Sequence, residues 1–138
     1  MFLNSAPINW YSKKQGSCEG ASFGSELMAM KTACEANRGF RYKLRMMGIP
    51  CEEPTYIYGD NQSVLHNCQR PESQLKKKCN SIAYHFVRES VAKGECLLSY
   101  VNTKDNYADL MTRTLPSGDQ RCHLVSGVMM DIYPNIPR

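Results

Sequence analysis

Apolar positions along this chain follow two periods, one typical of strands and one typical of amphipathic helices. From about Ser22 to Met47 the apolar residues recur at helical spacing, and Gly48 and Pro50 then supply stop signals. Shorter β-prone runs are separated from the helical patterns by small, polar or basic residues. The pattern predicts, in chain order, a strand at Ile8–Lys14, a helix at Ser22–Met47, a strand at Thr55–Gly59, a short helix at Asn61–Cys68, a helix from Asn80 or Ser81 to Gly94, a strand at Cys96–Val101, a helix at Tyr107–Arg113, and a last amphipathic segment through Val125, Val128, Met129 and Ile132.

This order of elements indicates the fold class. Strands that alternate with helices favour an α/β fold, in which helices are layered on a central sheet. Only three clear strands are present, however, and sheets of this class usually contain more. We therefore expect the sheet to be short of strands at the amino end of the chain.

Length and composition restrict the class of protein further. With 138 residues, 42% of them hydrophobic and 22% charged, the chain is long enough for one domain with its own core. No apolar run approaches the length of a membrane span, and Met1–Asn4 lacks the regions of a signal peptide. The seven cysteines include no Cys-x-x-Cys pair. We therefore expect an intracellular protein with reduced thiols, no disulfide partner and no membrane partner.

The net charge of +4 comes from the first part of the chain. Residues 1–50 contain seven Lys and Arg against three Glu, and the remaining residues balance. Basic residues can neutralise a phosphate backbone, although they can equally form an ordinary solvated surface. The basic residues that share one stripe of the long helix or one short run are Arg38, Arg41, Arg45, Lys76, Lys77 and Lys78.

Three carboxylates occur where α/β folds place their chemistry. Asp60 directly follows the strand Thr55–Gly59, Glu26 lies near the start of the long helix, and Asp109 lies in a later short helix. Metal sites draw carboxylates from several such elements. Each acid also has a structural alternative: Glu26 as a first-turn helix glutamate, Asp60 as an N-cap and Asp109 as a surface residue. The residues alone leave both interpretations open.

A series of short motifs in a fixed order extends this picture. They are Trp10–Gln15, Phe23–Glu26, Tyr58–Ser63, Tyr84–Glu89 and Tyr107–Thr112. From about Ile8 to Leu115 the series resembles the ribonuclease H domain of copia-type LTR retrotransposon polyproteins. The resemblance implies a ribonuclease H-like three-layer fold with a mixed sheet. It also implies a partial domain at residues 1–115 and a C-terminal helical tail at residues 116–138.

The resemblance carries expectations about activity. Domains of this family degrade the RNA strand of an RNA–DNA hybrid with two divalent metal ions, here expected to be Mg²⁺. Matched by motif, Glu26, Asp60 and Asp109 correspond to three of four metal-binding carboxylates, and Asn61 or Gln62 could contact a 2′-hydroxyl group. The implied partners are the hybrid and an upstream reverse transcriptase segment. The implied location is a cytoplasmic particle or the nucleus.

The chain also departs from the family pattern. Such domains begin with a central strand that carries the first metal-bridging aspartate, whereas Met1–Asn4 resembles the remainder of the second strand. We therefore expect a fold without its first strand and a site without its fourth carboxylate, inactive as residues 1–138 alone. The alternative is a non-catalytic relic that acts at most as a nucleic-acid-binding or interaction module through its basic residues.

Overall fold

Helices and strands alternate along the chain in the computed structural model, which describes residues 1–3, 6–13, 22–75, 80–112 and 114–129. The chain divides into two units: the first comprises Met1–Lys14 and Asn102–Arg138, and the second comprises Gln15–Val101. The mixture of helices and short sheets confirms the predicted α/β class. The ribonuclease H-like three-layer arrangement, the mixed sheet without its first strand and the boundary between residues 115 and 116 stay predictions.

The longest helix, α1 (Ser22–Met46), belongs to the second unit. Its buried positions recur every three or four residues, as an amphipathic helix requires; they are Gly24, Leu27, Met30, Cys34, Asn37 and Arg41. The helix ends just before Gly48, whose positive φ of 77° lets Ile49 N donate to the Leu44 carbonyl at 2.9 Å. The predicted helix is confirmed, with its end one residue earlier. Among the described helices, none is long and apolar enough to cross a membrane.

Two parallel strands form the sheet of the second unit. β3 (Thr55–Gly59) pairs with β4 (Cys96–Tyr100), from Thr55 opposite Cys96 to Gly59 opposite Tyr100. Side chains alternate between two faces, so Cys96 and Leu98 are buried while the two tyrosines of β3 are exposed. Both strands are confirmed at their predicted positions, with β4 ending one residue earlier.

Two helices connect these strands and cover the buried face. They are α2 (Gln62–Gln69) and α3 (Ser81–Ala92). A turn follows α3, and Gly94 in this turn has a φ of 67°. Both helices were expected from apolar periodicity and are confirmed. Together with α1 and β4 they bury one apolar cluster, which consists of Leu27, Met30, Cys34, Val64, Leu65, Cys68, Ala83, Tyr84, Val87, Cys96 and Leu98. This cluster is the core that positions the end of β3.

A hairpin begins the first unit. β1 (Phe2–Leu3) pairs antiparallel with β2 (Ala6–Pro7). The strand predicted at Ile8–Lys14 is wrong over residues 8–13, which form no regular structure, and Lys14 lies outside the described residues. A strand needs a neighbour for its backbone groups and one buried face. Here Ile8 N donates back to the Met1 carbonyl at 3.0 Å, and the Trp10 side chain is 70% exposed.

The carboxyl-terminal part of the first unit is helical. A 3-10 turn at Thr103–Asp105 precedes α4 (Asp109–Thr112), and α5 (Asp119–Val128) follows. α4 is shorter than the predicted helix at Tyr107–Arg113, in which Arg113 lies outside the described residues. α5 confirms the last amphipathic segment as far as Val128, whereas Ile132 lies outside the described residues. Leu124 is the fully buried side chain of α5.

Candidate active site

Asp60 stands at the carboxyl end of β3, where parallel strands deliver side chains to a common edge. The next residue, Asn61, is the N-cap of α2: its Oδ1 accepts hydrogen bonds from Ser63 N at 3.0 Å and Val64 N at 3.4 Å. The alternative interpretation of Asp60 as the N-cap is therefore wrong. Asn61 performs the capping, and the carboxylate of Asp60 lies one residue outside the helix.

The end of β3 packs closely against α1. A Cβ atom on Gly59 would lie 3.1 Å from Cε of Met30 and 3.6 Å from Cδ2 of Leu65. A side chain at this last strand position would therefore require Met30 to shift by a few tenths of an ångström. The contact brings the segment that carries Asp60 against the amino-terminal half of α1.

Glu26 lies on that same part of α1, one helical turn before Met30. Residues four apart share a helix face, so Glu26 lies on the side of α1 that approaches β3. Its side chain is partly buried. The expectation that Glu26 occupies the first turn is wrong because the helix begins at Ser22 and its first turn contains no acidic residue. Stabilisation by the helix dipole, which falls off within the first turn, therefore explains this glutamate poorly.

Asp109 begins α4 in the first unit. Asp109 is only 5% exposed, so the alternative interpretation of this aspartate as a surface residue is wrong. The backbone before it is held by local hydrogen bonds: Asp109 N donates to the Asn106 carbonyl at 3.1 Å, and Ala108 N donates to Asn106 Oδ1 at 3.2 Å. Asp109 thus belongs to one unit, and Glu26 and Asp60 belong to the other.

The chemistry of these donors suits Mg²⁺. Mg²⁺ prefers carboxylate oxygens and is commonly held by one or two of them, with waters and substrate phosphates completing its coordination. Glu26 and Asp60 are two carboxylate residues of the same unit. Over the described ranges, no group of three or more His, Cys, Asp or Glu side chains could hold a metal ion. Binding of Mg²⁺ through these two residues therefore requires further ligands.

Arg38, one of the basic residues on α1, makes contacts within the second unit. Its Nε donates to Oε2 of Glu95 at 2.9 Å, its Nη2 donates to Oγ of Ser90 at 3.1 Å, and its guanidinium group lies 4.6 Å from the ring centroid of Phe86. The neighbouring Asn37 donates from Nδ2 to the Glu95 carbonyl at 3.1 Å. These contacts attach α1 to α3 and to the residue before β4.

Arg41 is buried, with 7% of its surface exposed. Its Nη1 donates to the Glu53 carbonyl at 2.6 Å and to Oγ1 of Thr55 at 3.2 Å, and its Nη2 donates to the Cys51 carbonyl at 2.6 Å. Nε has no hydrogen-bond partner within the part of the chain that the structure describes. The expected display of Arg41 on an exposed basic stripe is wrong, because the guanidinium group holds the loop that leads into β3.

The other predicted nucleic-acid contacts have different positions. Arg45 is exposed near the end of α1, and Gln62 is exposed at the first position of α2. Lys76, Lys77 and Lys78 lie outside the described residues. Of the three arginines on this stripe of α1, only Arg45 is exposed.

The fold also creates a pair of cysteines that sequence spacing did not predict. Sγ of Cys34 on α1 lies 3.9 Å from Sγ of Cys96 at the start of β4, and the two residues are 2% and 0% exposed. The helical periodicity of α1 could have placed Cys34 on the buried face, because it follows Met30 by four residues. Nothing local to the sequence could have named Cys96 as its neighbour.

Comparison with known proteins shows that this chain is similar to parts of longer polyproteins. It is 30% identical over 115 residues to the retrovirus-related Pol polyproteins from transposons RE1 and RE2 of Arabidopsis thaliana. The matched stretch covers 83% of this chain and 8% of each relative, so the chain spans less than a tenth of their length. No protein-family model and no solved structure matches the chain. The chain is therefore similar to a segment of retrotransposon Pol polyproteins.

Proposed function

We propose that this chain is the part of a retrotransposon ribonuclease H that supplies catalytic carboxylates, Glu26 and Asp60 among them, for hydrolysis of the RNA strand in an RNA–DNA hybrid. The observation that carries the proposal is the position of Asp60. It directly follows the parallel strand β3, Asn61 performs the capping of α2, and Gly59 packs on Met30, one helical turn after Glu26. The similarity to Pol polyprotein segments supports the retrotransposon setting.

In this proposal Glu26 and Asp60 of the second unit are ligands of Mg²⁺, and the role of Asp109 stays the prediction that its motif gives. A fourth carboxylate comes from a segment upstream of this chain in the polyprotein. When bound, the ions supply an activated water and stabilise the departing ribose oxygen. The chain contributes the position of each ligand: β3 directs Asp60 to the strand end, the second turn of α1 presents Glu26, and α4 begins at Asp109.

Contacts to the hybrid are assigned by exposure. Exposed Arg45 contacts phosphates, and exposed Gln62 offers its amide to the minor groove, where 2′-hydroxyl groups distinguish RNA from DNA. Lys76, Lys77 and Lys78, which lie outside the described residues, are assigned to phosphates from their charge alone. Asn61 uses its Oδ1 to cap α2, so only its Nδ2 is assigned to a 2′-hydroxyl group. Arg38 and Arg41 act indirectly, because their internal contacts hold the framework of α1, β3 and β4.

The experiment joins the full chain to the polyprotein segment that precedes the matching stretch in the RE1 relative. The substrate is a hybrid of end-labelled RNA with DNA, incubated with and without Mg²⁺. We expect Mg²⁺-dependent cleavage by the fusion and none by residues 1–138 alone. Asp60→Asn and Glu26→Gln should abolish cleavage, because each replaces a charged oxygen ligand with a neutral amide.

A matched control lies on the same helix as Glu26. Glu35 is exposed and pairs with Lys31 at 2.8 Å, so Glu35→Gln should leave cleavage intact. Cleavage that survives Asp60→Asn would overturn the ligand assignment. Robust cleavage by residues 1–138 alone would overturn the requirement for an upstream carboxylate. Binding of the hybrid by a folded fusion without any cleavage would favour the non-catalytic nucleic-acid-binding module instead.

The same proposal implies the partners of the chain and its location in the cell. The partners are the RNA–DNA hybrid and the upstream reverse transcriptase segment, since a ribonuclease H of this class removes RNA after the polymerase has copied it. The proposed location is the cytoplasmic particle of the element or the nucleus.

A further inference from the structure

We propose that Cys34 and Cys96 form an oxidation site, in which hydrogen peroxide converts the two thiols to a disulfide that ties α1 to β4. The site lies within the second unit and uses no residue assigned to the metal or to the nucleic acid. Its success or failure is therefore separate from that of the ribonuclease H proposal.

The distance between the thiols favours this reaction. Their Sγ atoms are 3.9 Å apart, and a disulfide requires about 2.05 Å. The difference of about 1.9 Å can be shared between two side-chain rotations. Both residues are buried in one core cluster, which keeps the two sulfur atoms in contact.

Neighbouring hydrogen bonds hold the two backbones beside each other. Asn37, one turn after Cys34, donates to the carbonyl of Glu95 at 3.1 Å, and Glu95 directly precedes Cys96. Arg38 reaches the carboxylate of the same glutamate with Nε at 2.9 Å. These two bonds fix α1 against the start of β4, so the approach of the thiols is a property of the fold.

The contact between the two sulfur atoms shifts the pKa values of the two thiols in opposite directions. Either thiol can donate the hydrogen bond that joins the two sulfur atoms. This hydrogen bond lowers the pKa of Cys96, whereas burial and the charge of Glu95 oppose the shift. The pKa of Cys34 is raised, first by the same hydrogen bond and then by burial. In the proposed order of steps Cys96 reacts first and Cys34 is the resolving thiol, and variants of each cysteine distinguish this order from the reverse.

The reaction needs one molecule of hydrogen peroxide. The thiolate of Cys96 attacks one peroxide oxygen, the O–O bond breaks, and hydroxide leaves to become water on protonation, which leaves a sulfenic acid on Cys96. Sγ of Cys34 then attacks Sγ of Cys96, the S–O bond breaks, and a second water leaves with the Cys34 proton. Two thiols lose two electrons, and the peroxide gains them. The peroxide molecule is small enough to reach a core thiol during local opening of the fold.

The test is peptide mapping of the whole chain. The folded protein is treated with hydrogen peroxide, remaining thiols are blocked with N-ethylmaleimide, and the protein is digested with trypsin. Cleavage after Lys31, Arg38, Lys93 and Lys104 yields one peptide that contains only Cys34 and another that contains only Cys96. We expect these two peptides to be linked, with the loss of two of the seven thiols and a raised midpoint of thermal unfolding.

Variants separate the two roles. In Cys34→Ser the sulfenic acid on Cys96 has no resolving thiol, so dimedone should label Cys96. In Cys96→Ser no sulfenic acid should form at this site, so dimedone should not label Cys34. Circular dichroism verifies that each variant is folded, and Cys34→Ala replaces Cys34→Ser if serine unfolds the core. Exposed Cys122 supplies the control, because Cys122→Ser should leave the linked peptides unchanged.

Two results would overturn the proposal. One is that Cys34 and Cys96 remain thiols in the folded protein while Cys122 is oxidised. The other is that the linked peptides form to the same extent in chain unfolded by urea, since an unfolded chain has no reason to prefer cysteines 62 positions apart.

Discussion

Arg38 on α1 makes two contacts with one oxygen of Glu95: Nε lies 2.9 Å and Nη2 lies 2.8 Å from Oε2. The pair joins the longest helix to the residue that precedes β4. The same guanidinium group covers the ring of Phe86 at 4.6 Å, so one side chain connects α1, α3 and the start of β4. This basic residue therefore stabilises the unit that positions Asp60.

Replacement of Arg38 with alanine should reduce the free energy of unfolding by about 1–2 kcal/mol. The change removes the ion pair, the hydrogen bond to Ser90 and the cover over Phe86. The pair is partly exposed, with 36% and 24% of the two side chains accessible, so solvent screening keeps the ionic contribution small. Urea unfolding followed by circular dichroism measures the effect.

The control for this prediction is Arg45→Ala, an exposed arginine on the same helix, which should change stability by less than about 0.5 kcal/mol. A double-mutant cycle with Glu95→Gln isolates the ion pair. Fully additive effects of Arg38→Ala and Glu95→Gln would show that the two residues are not coupled.

Arg41→Met should cost more, about 2–4 kcal/mol, although methionine retains an apolar stem. The substitution leaves the carbonyls of Cys51 and Glu53 without the donors that hold the loop before β3. Urea unfolding again measures stability, and limited proteolysis should show faster cleavage within residues 49–54. Lys43→Met, an exposed change on the same helix, is the matched control. Equal stability of Arg41→Met and Lys43→Met would contradict the structural role of Arg41.

Asn61→Ala should reduce the free energy of unfolding by about 1 kcal/mol, because α2 loses the oxygen that accepts from Ser63 N and Val64 N. Asn61→Asp should retain most of that stability, since aspartate also caps helices well. Exposed Gln62→Ala provides the comparison, with a smaller expected change. If Asn61→Ala had no effect on thermal unfolding, the assignment of the cap to Asn61 would be wrong.

The stability of the core should depend on the protonation of Cys68. Burial raises the pKa of Cys68 from 9.0 to about 11. The unfolded chain therefore releases this proton at a lower pH than the folded chain does. The contribution of the protonated Cys68 thiol to the free energy of unfolding is fully present below the unfolded pKa of 9.0. It is lost as the pH rises through about 11.

Cys68→Ala removes this dependence. The stability difference between wild type and Cys68→Ala should shrink by about 2 kcal/mol from about pH 8 to about pH 11. Cys122→Ala, which changes an exposed thiol, should show no such trend. A constant difference across this range, measured by urea unfolding at each pH, would contradict the prediction.

Local pattern predicted most of the secondary structure. The positions of α1, β3, α2, α3 and β4 follow from periodicity and from stop signals such as Gly48 and Gly94, because these depend on a few neighbouring residues. The strand expected at Ile8–Lys14 fails over residues 8–13 because alternation requires a partner strand to become a β-ladder. The boundaries of α4 differ for a related reason, since short helices are formed by tertiary contacts more than by propensity.

The sequence by itself determined the α/β class, the long amphipathic helix and the placement of Asp60 directly after a strand. Tertiary structure alone decided which neighbour each of these residues meets. It assigned Arg38 to Glu95 and Cys34 to Cys96, partners 57 and 62 positions apart, and it buried Arg41 on a helix that periodicity predicts to be partly exposed. The reason is physical: periodicity states which face of an element is buried, whereas only the packing of distant elements determines what that face contacts.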